Sequence, residues 1–129
     1  MRTLVTLGAW LSLTAALSFG ATDHNSLNEP TEYRGHLLDT ACVSQNPGGE
    51  KAWVKCAPTA TTSRFTIYTS GKLRMLDTRG NVKAGAALQQ GELRLDKDGD
   101  MSVILMGRER HKTIVVESIR AHKSDTSVH

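Results

Sequence analysis

The sequence predicts a mainly β domain with one short helix, closed as a small OB-like barrel of five or six strands. Three observations carry that expectation. Short segments rich in β-branched residues alternate with turn signals, only one stretch has helical character, and the order is three strands, a helix, then two strands. An open β-sandwich is the alternative for the same inventory. Barrel closure would remove the exposed edges that a small sheet must otherwise protect.

Tyr33 to Ala41 reads as the first strand, although its alternation is imperfect. Asn46-Pro47-Gly48-Gly49 marks a loop, and Pro58 to Ser63 marks a second. Phe65 to Thr69 is β-branched and aromatic, with Phe65 and Ile67 on one face and Tyr68 on the other. Ser70-Gly71 turns the chain into Lys72 to Leu76, completing a hairpin. Asn81 to Gln90 is the helix candidate: Asn81 can cap it, the alanines favour it and Gly91 can end it. Its thin apolar face limits it to two or three turns. Glu92 to Leu95 would supply the optional sixth strand, and Asp98-Gly99 a turn. Met101 to Met106 is almost continuously apolar, as in a strand buried on both faces. Arg108 to His111 reads as a turn into a last strand, Thr113 to Ile119.

Upstream of this domain, residues 1–20 have the layout of an export signal. Arg2 supplies the positive start, Leu4 through Leu17 the apolar run, and Ser18-Phe19-Gly20 the small residues a signal peptidase reads. A retained anchor is the alternative, but a span needs ~20 mostly apolar residues with firm flanks, and this run is shorter and contains Ser12 and Thr14. The expected layout is a signal at 1–20, a flexible linker at 21–32, the barrel at 33–120 and a disordered tail at 121–129. That layout predicts a secreted or periplasmic protein with no membrane span after signal cleavage.

In 129 residues, 39% are hydrophobic and 22% charged, a globular balance too apolar for a disordered chain. The net charge of +3 is small and the charges are interspersed, so no basic stripe dedicated to nucleic acid is visible. Cys42 and Cys56 are the only cysteines. In an oxidising compartment two thiols in a small domain pair. The closed loop of about 15 residues would contribute roughly 3 kcal/mol by chain entropy. A redox pair is the other reading, but catalytic dithiols favour Cys-x-x-Cys spacing, which this pair lacks.

Several of these features occur together in one known group. Gly35-His36-Leu37-Leu38-Asp39-Thr40-Ala41-Cys42 resembles small secreted bacterial domains of unknown function. So do Cys56 before the Phe65–Leu76 hairpin, Asp77 with Gly80-Asn81, and the Val103–Gly107 and Ile114–Ile119 pair. The resemblance spans Tyr33 to Arg120. It implies a signal peptide, cysteines near the first strand and a small barrel, and it adds no catalytic residue. Members often carry further cysteines in the first loop, where this chain has two.

The residues support few chemistries directly. Asp96, Asp98 and Asp100 suggest calcium, but counting from Asp96 the glycine falls at position 4 and position 12 is Gly107, so an EF-hand loop does not fit. A solvated turn accounts for them. The histidines, His24, His36, His111, His122 and His129, share no zinc spacing. No cofactor or metal is expected, and no nucleophile elbow presents a serine. Asp39 and His36 sit three apart on a strand and face opposite ways, so Asp39 is expected to fix the turn into the cysteine loop.

Binding is easier to accommodate. Trp53, in the cysteine-closed loop, and Tyr68, on the outward face, are candidate stacking platforms; Trp53 could instead close one barrel end, and Tyr68 pack against a loop. Arg64 and Arg74 flank the hairpin and could favour anions, or form a solvated charged face. The expected function is a non-catalytic module for an unidentified ligand or envelope component. The alternatives are a small envelope hydrolase with a spatially assembled site, or a thiol-redox or metal-binding protein.

Overall fold

The computed structural model describes residues 29–123, so the expected signal, most of the expected linker and residues 124–129 lie outside the described residues. The elements run β1 (Thr31–Asp39), α1 (Thr40–Gln45), α2 (Glu50–Trp53), β2 (Phe65–Thr69), β3 (Lys72–Leu76), α3 (Thr78–Gln89), β4 (Ser102–Arg110) and β5 (Thr113–Ala121). The strands close into a five-stranded barrel in the order β1-β2-β3-β5-β4. Closure excludes the open sandwich. Among the described residues no helix is long and apolar enough to cross a membrane.

β1 closes the ring by serving two neighbours in turn. Thr31 to His36 pair with β4, and His36 to Asp39 pair with β2. The change of partner requires sharp coiling at Gly35, where a Cβ would lie 2.1 Å from the Tyr68 carbonyl oxygen. Only glycine fits that approach. The β2–β3 hairpin turns at Ser70 (φ 50°) and Gly71 (φ 75°), the paired positive φ values of a tight hairpin turn. β3 and β5 make the one parallel seam, with two register pairs, Met75↔Thr113 and Leu76↔Ile114.

Inward residues form one core. Leu37, Phe65, Ile67, Leu105 and Ile114 are fully buried, each stabilising the fold by about 1.5–3 kcal/mol relative to exposure. Ala84 and Ala87 of α3, with Leu93 and Met101, complete the cluster. β4 is buried on both faces as its apolar run predicts, since Val103, Ile104 and Leu105 are all buried. The two buried threonines are satisfied: Thr66 Oγ1 hydrogen-bonds Thr40 Oγ1 at 2.7 Å, and Thr69 Oγ1 donates to the Arg34 carbonyl at 2.7 Å.

Several expected boundaries shift. β1 starts two residues earlier and stops at Asp39, because the Asp39 carboxylate accepts from the Cys42 N–H and starts α1 there. The helix begins at Thr78 with Asp77 as cap, and Asn81 instead accepts from the Phe65 N–H at 2.9 Å, tying α3 to β2. No sixth strand forms at 92–95: the Glu92 and Leu93 N–H groups both donate to the Ala87 carbonyl, winding the chain off the helix end, and Leu93 plugs the core. β4 extends to Arg110, leaving only His111-Lys112 as the turn.

Candidate functional site: a cleft between the first loop and the barrel face

The segment between β1 and β2 folds back over the outward face of those strands. Asp39 anchors its start: one carboxylate oxygen caps α1, and the other accepts from Thr62 Oγ1 at 2.6 Å, drawing in the far end of the loop. The Cys42–Cys56 disulfide closes the segment, with Cα atoms 5.4 Å apart. Asp39 N–H donates to the Cys56 carbonyl at 2.7 Å, so the bridge is bound to the strand end. Cys56 is 1% exposed, which leaves an attacking thiolate little access to its sulfur.

Trp53 is held by this framework. Its indole Nε1–H donates to the Asn46 carbonyl at 3.1 Å, while Asn46 Nδ2 donates to the Cys42 carbonyl at 2.8 Å. The Trp53 ring meets Tyr68 with centroids 5.6 Å apart and planes tilted by 60°, within the range of attractive aromatic pairs. Tyr68 faces outward from β2 directly opposite His36 of β1. Both rings are half-buried, so each packs and also leaves surface to the cleft.

His36, Leu38, Glu50, Trp53, Val54, Tyr68 and Asp100 line a cleft of 170 Å³. Pockets for drug-sized ligands run to about 300–1,000 Å³, so this one suits a single side chain or headgroup. Leu38 forms an apolar floor, and Glu50 and Asp100 contribute carboxylates. The Tyr68 phenol is raised above its ordinary 10.0 by desolvation first, then by the nearby Glu50 carboxylate, which favours the protonated form. It is therefore a neutral hydroxyl throughout the physiological range.

Of the four residues expected to bind, the structure brings Trp53 and Tyr68 together and sets both arginines apart. Arg64 lies on the far side of the first loop, beside Asp39 to Ser44 and near the start of α3. Arg74 is engaged by Glu109 and donates from Nη1 to the Leu73 carbonyl at 2.9 Å. Glu50, Val54, His36, Leu38 and Asp100 were not expected at a binding site. For two of them the sequence held a signal, since Glu50, Trp53 and Val54 are spaced i, i+3, i+4 and share a face once residues 50–53 turn helical. Asp100 carried none, because only the fold brings it beside β1.

Asp96 organises its turn as expected of a solvated one, with Oδ1 accepting from the Asp98 and Asp100 N–H groups at 2.9 and 3.0 Å. Among the described residues no group of three or more His, Cys, Asp or Glu side chains could hold a metal ion. Compared with family models, curated proteins and solved structures, the chain matches none.

Proposed function

We propose that the protein is an exported, non-catalytic barrel module that holds a ligand or a cell-envelope component in the cleft under α2. One observation carries this reading: Trp53 and Tyr68, from separate elements, meet above an apolar floor on the outward barrel face. Barrels of this strand order commonly bind ligands on one sheet face and its bordering loops. The disulfide supports an oxidising compartment, and with it the export expected of residues 1–20. The same features support the resemblance to small secreted bacterial domains.

Native mass spectrometry tests the reading on protein purified from its own envelope fraction. The expected result is a mass starting near Ala21 plus a non-covalent adduct that Trp53→Ala, still folded by circular dichroism, does not retain. An unprocessed mass overturns export. An adduct-free protein whose cleft signals are unmoved by envelope extract overturns binding.

A small hydrolase is the second reading, favoured by His36, Glu50 and Asp100 lining one cleft. It requires His36→Ala to abolish turnover of an envelope-derived ester, amide or glycoside while leaving ligand affinity nearly intact.

A further inference from the structure

We propose that the cleft selects a primary alkylammonium group, its carbon stem lying on Leu38, Trp53 and Tyr68 and its charge between Glu50 and Asp100. This inference rests on the reading of the cleft as a binding site and adds the chemistry of the occupant.

The walls carry two carboxylates, Glu50 and Asp100, against one basic ring, His36, and among the described residues no lysine or arginine lines the cleft beside them. Among the described residues the ion pairs join Arg34 to Glu32, Arg74 to Glu109 and Arg108 to Glu117, so neither cleft carboxylate is neutralised by one. This anionic spot lies on a chain whose net charge is +3. A bound anion would meet both carboxylates with no lysine or arginine beside them to compensate.

Hydrogen-bond capacity narrows the choice further. An ionised carboxylate only accepts, and an ammonium offers three donors and no acceptor. A sugar hydroxyl can also donate to a carboxylate, but it carries one donor where an ammonium carries three, and only the ammonium brings a charge that offsets Glu50 and Asp100. The aromatic pair adds to the preference, because the negative ring faces attract a cation within about 6 Å of the centroid. The 170 Å³ volume admits an unbranched amine end and excludes a bulky one. A lysine side chain and a free polyamine share this chemistry.

Heteronuclear NMR titration of the folded, disulfide-intact protein tests the inference with n-butylammonium, n-butanol, butyrate and methyl N-acetylglucosaminide. We expect n-butylammonium to shift the Trp53 indole N–H, the Leu38 methyls and the Tyr68 ring signals, with n-butanol and butyrate at least tenfold weaker. Glu50→Gln and Asp100→Asn should each weaken the ammonium three- to tenfold and leave n-butanol unchanged. Spermidine and Nα-acetyl-lysine amide then distinguish a polyamine from a lysine side chain by which binds more tightly. Equal binding of n-butanol or the sugar, or an ammonium affinity indifferent to both substitutions, overturns the charge selection and leaves the cleft as a binding site. Silence of the cleft signals to every probe overturns this inference, while the native adduct decides the binding reading separately.

Discussion

The Asp77 carboxylate accepts the Val116 N–H at 3.1 Å, so a side chain completes the seam that the β3 and β5 backbones leave short. The same oxygen accepts the Gly80 N–H at 2.9 Å and caps α3, while Asp77 N–H donates to the Ile114 carbonyl at 3.0 Å. One residue thus joins β3, α3 and β5.

Asp77→Ala should lower unfolding free energy by about 2–3 kcal/mol, since it removes a helix cap and leaves the N–H of buried Val116 without a partner. Asp77→Asn retains an acceptor oxygen and should cost less than about 1 kcal/mol. Urea denaturation of both variants checks the ordering; equal losses would show that charge, not acceptance, matters at this position.

Two glycines in α3 should respond in opposite directions to alanine. At Gly80 a Cβ would lie 2.5 Å from Val116 Cγ2 and 2.9 Å from the Asp77 carboxylate. The overpacking cost of about 1–3 kcal/mol exceeds the helix-propensity gain of about 1 kcal/mol, so Gly80→Ala should destabilise. At Gly85 nothing lies within 4 Å of a Cβ, so Gly85→Ala should stabilise by up to about 1 kcal/mol. Thermal unfolding of the pair measures the contrast.

The strands were legible because their signals are local. Alternation in Phe65–Thr69 and the apolar run in β4 each state a burial pattern that the fold then uses. α1 and α2 were not legible, because six and four residues are too few for a helical period to appear. Their existence depends on Asp39, the disulfide and Asn46 acting together. Asp77 rather than Asn81 caps α3, while distant N–H groups, of Val116 and Phe65, bond to the Asp77 and Asn81 side chains in turn. At the site, Trp53 and Tyr68 could be selected by residue type, whereas the Asp100 contribution follows from barrel closure alone.

Cys56→Ser should lower the thermal midpoint by roughly 10–20 °C, because it releases the constraint on the first loop and leaves a hydroxyl in a buried position. Adding reductant should shift the parent protein in the same direction and leave the variant unmoved. An unchanged midpoint in the variant would remove the disulfide from any account of stability.

Glu50→Gln should lower the Tyr68 pKa, since the negative charge of Glu50 favours the protonated phenol. The return toward 10.0 should be incomplete, because desolvation is the larger cause and survives the substitution. Phenolate absorbance against pH, with Tyr33→Phe as background, reads the change. A Tyr68 titration unaffected by the substitution would separate the two side chains in solution.

The division of β1 between β4 and β2 also sets an order of events. Thr31 finds its register partner only at Gly107, so the ring cannot shut while the final hairpin is still missing. Pairings this distant along the chain make assembly slow and late. A chain emerging amino end first therefore carries an open strand edge, ready to pair with a neighbouring molecule, until nearly its whole length has been delivered.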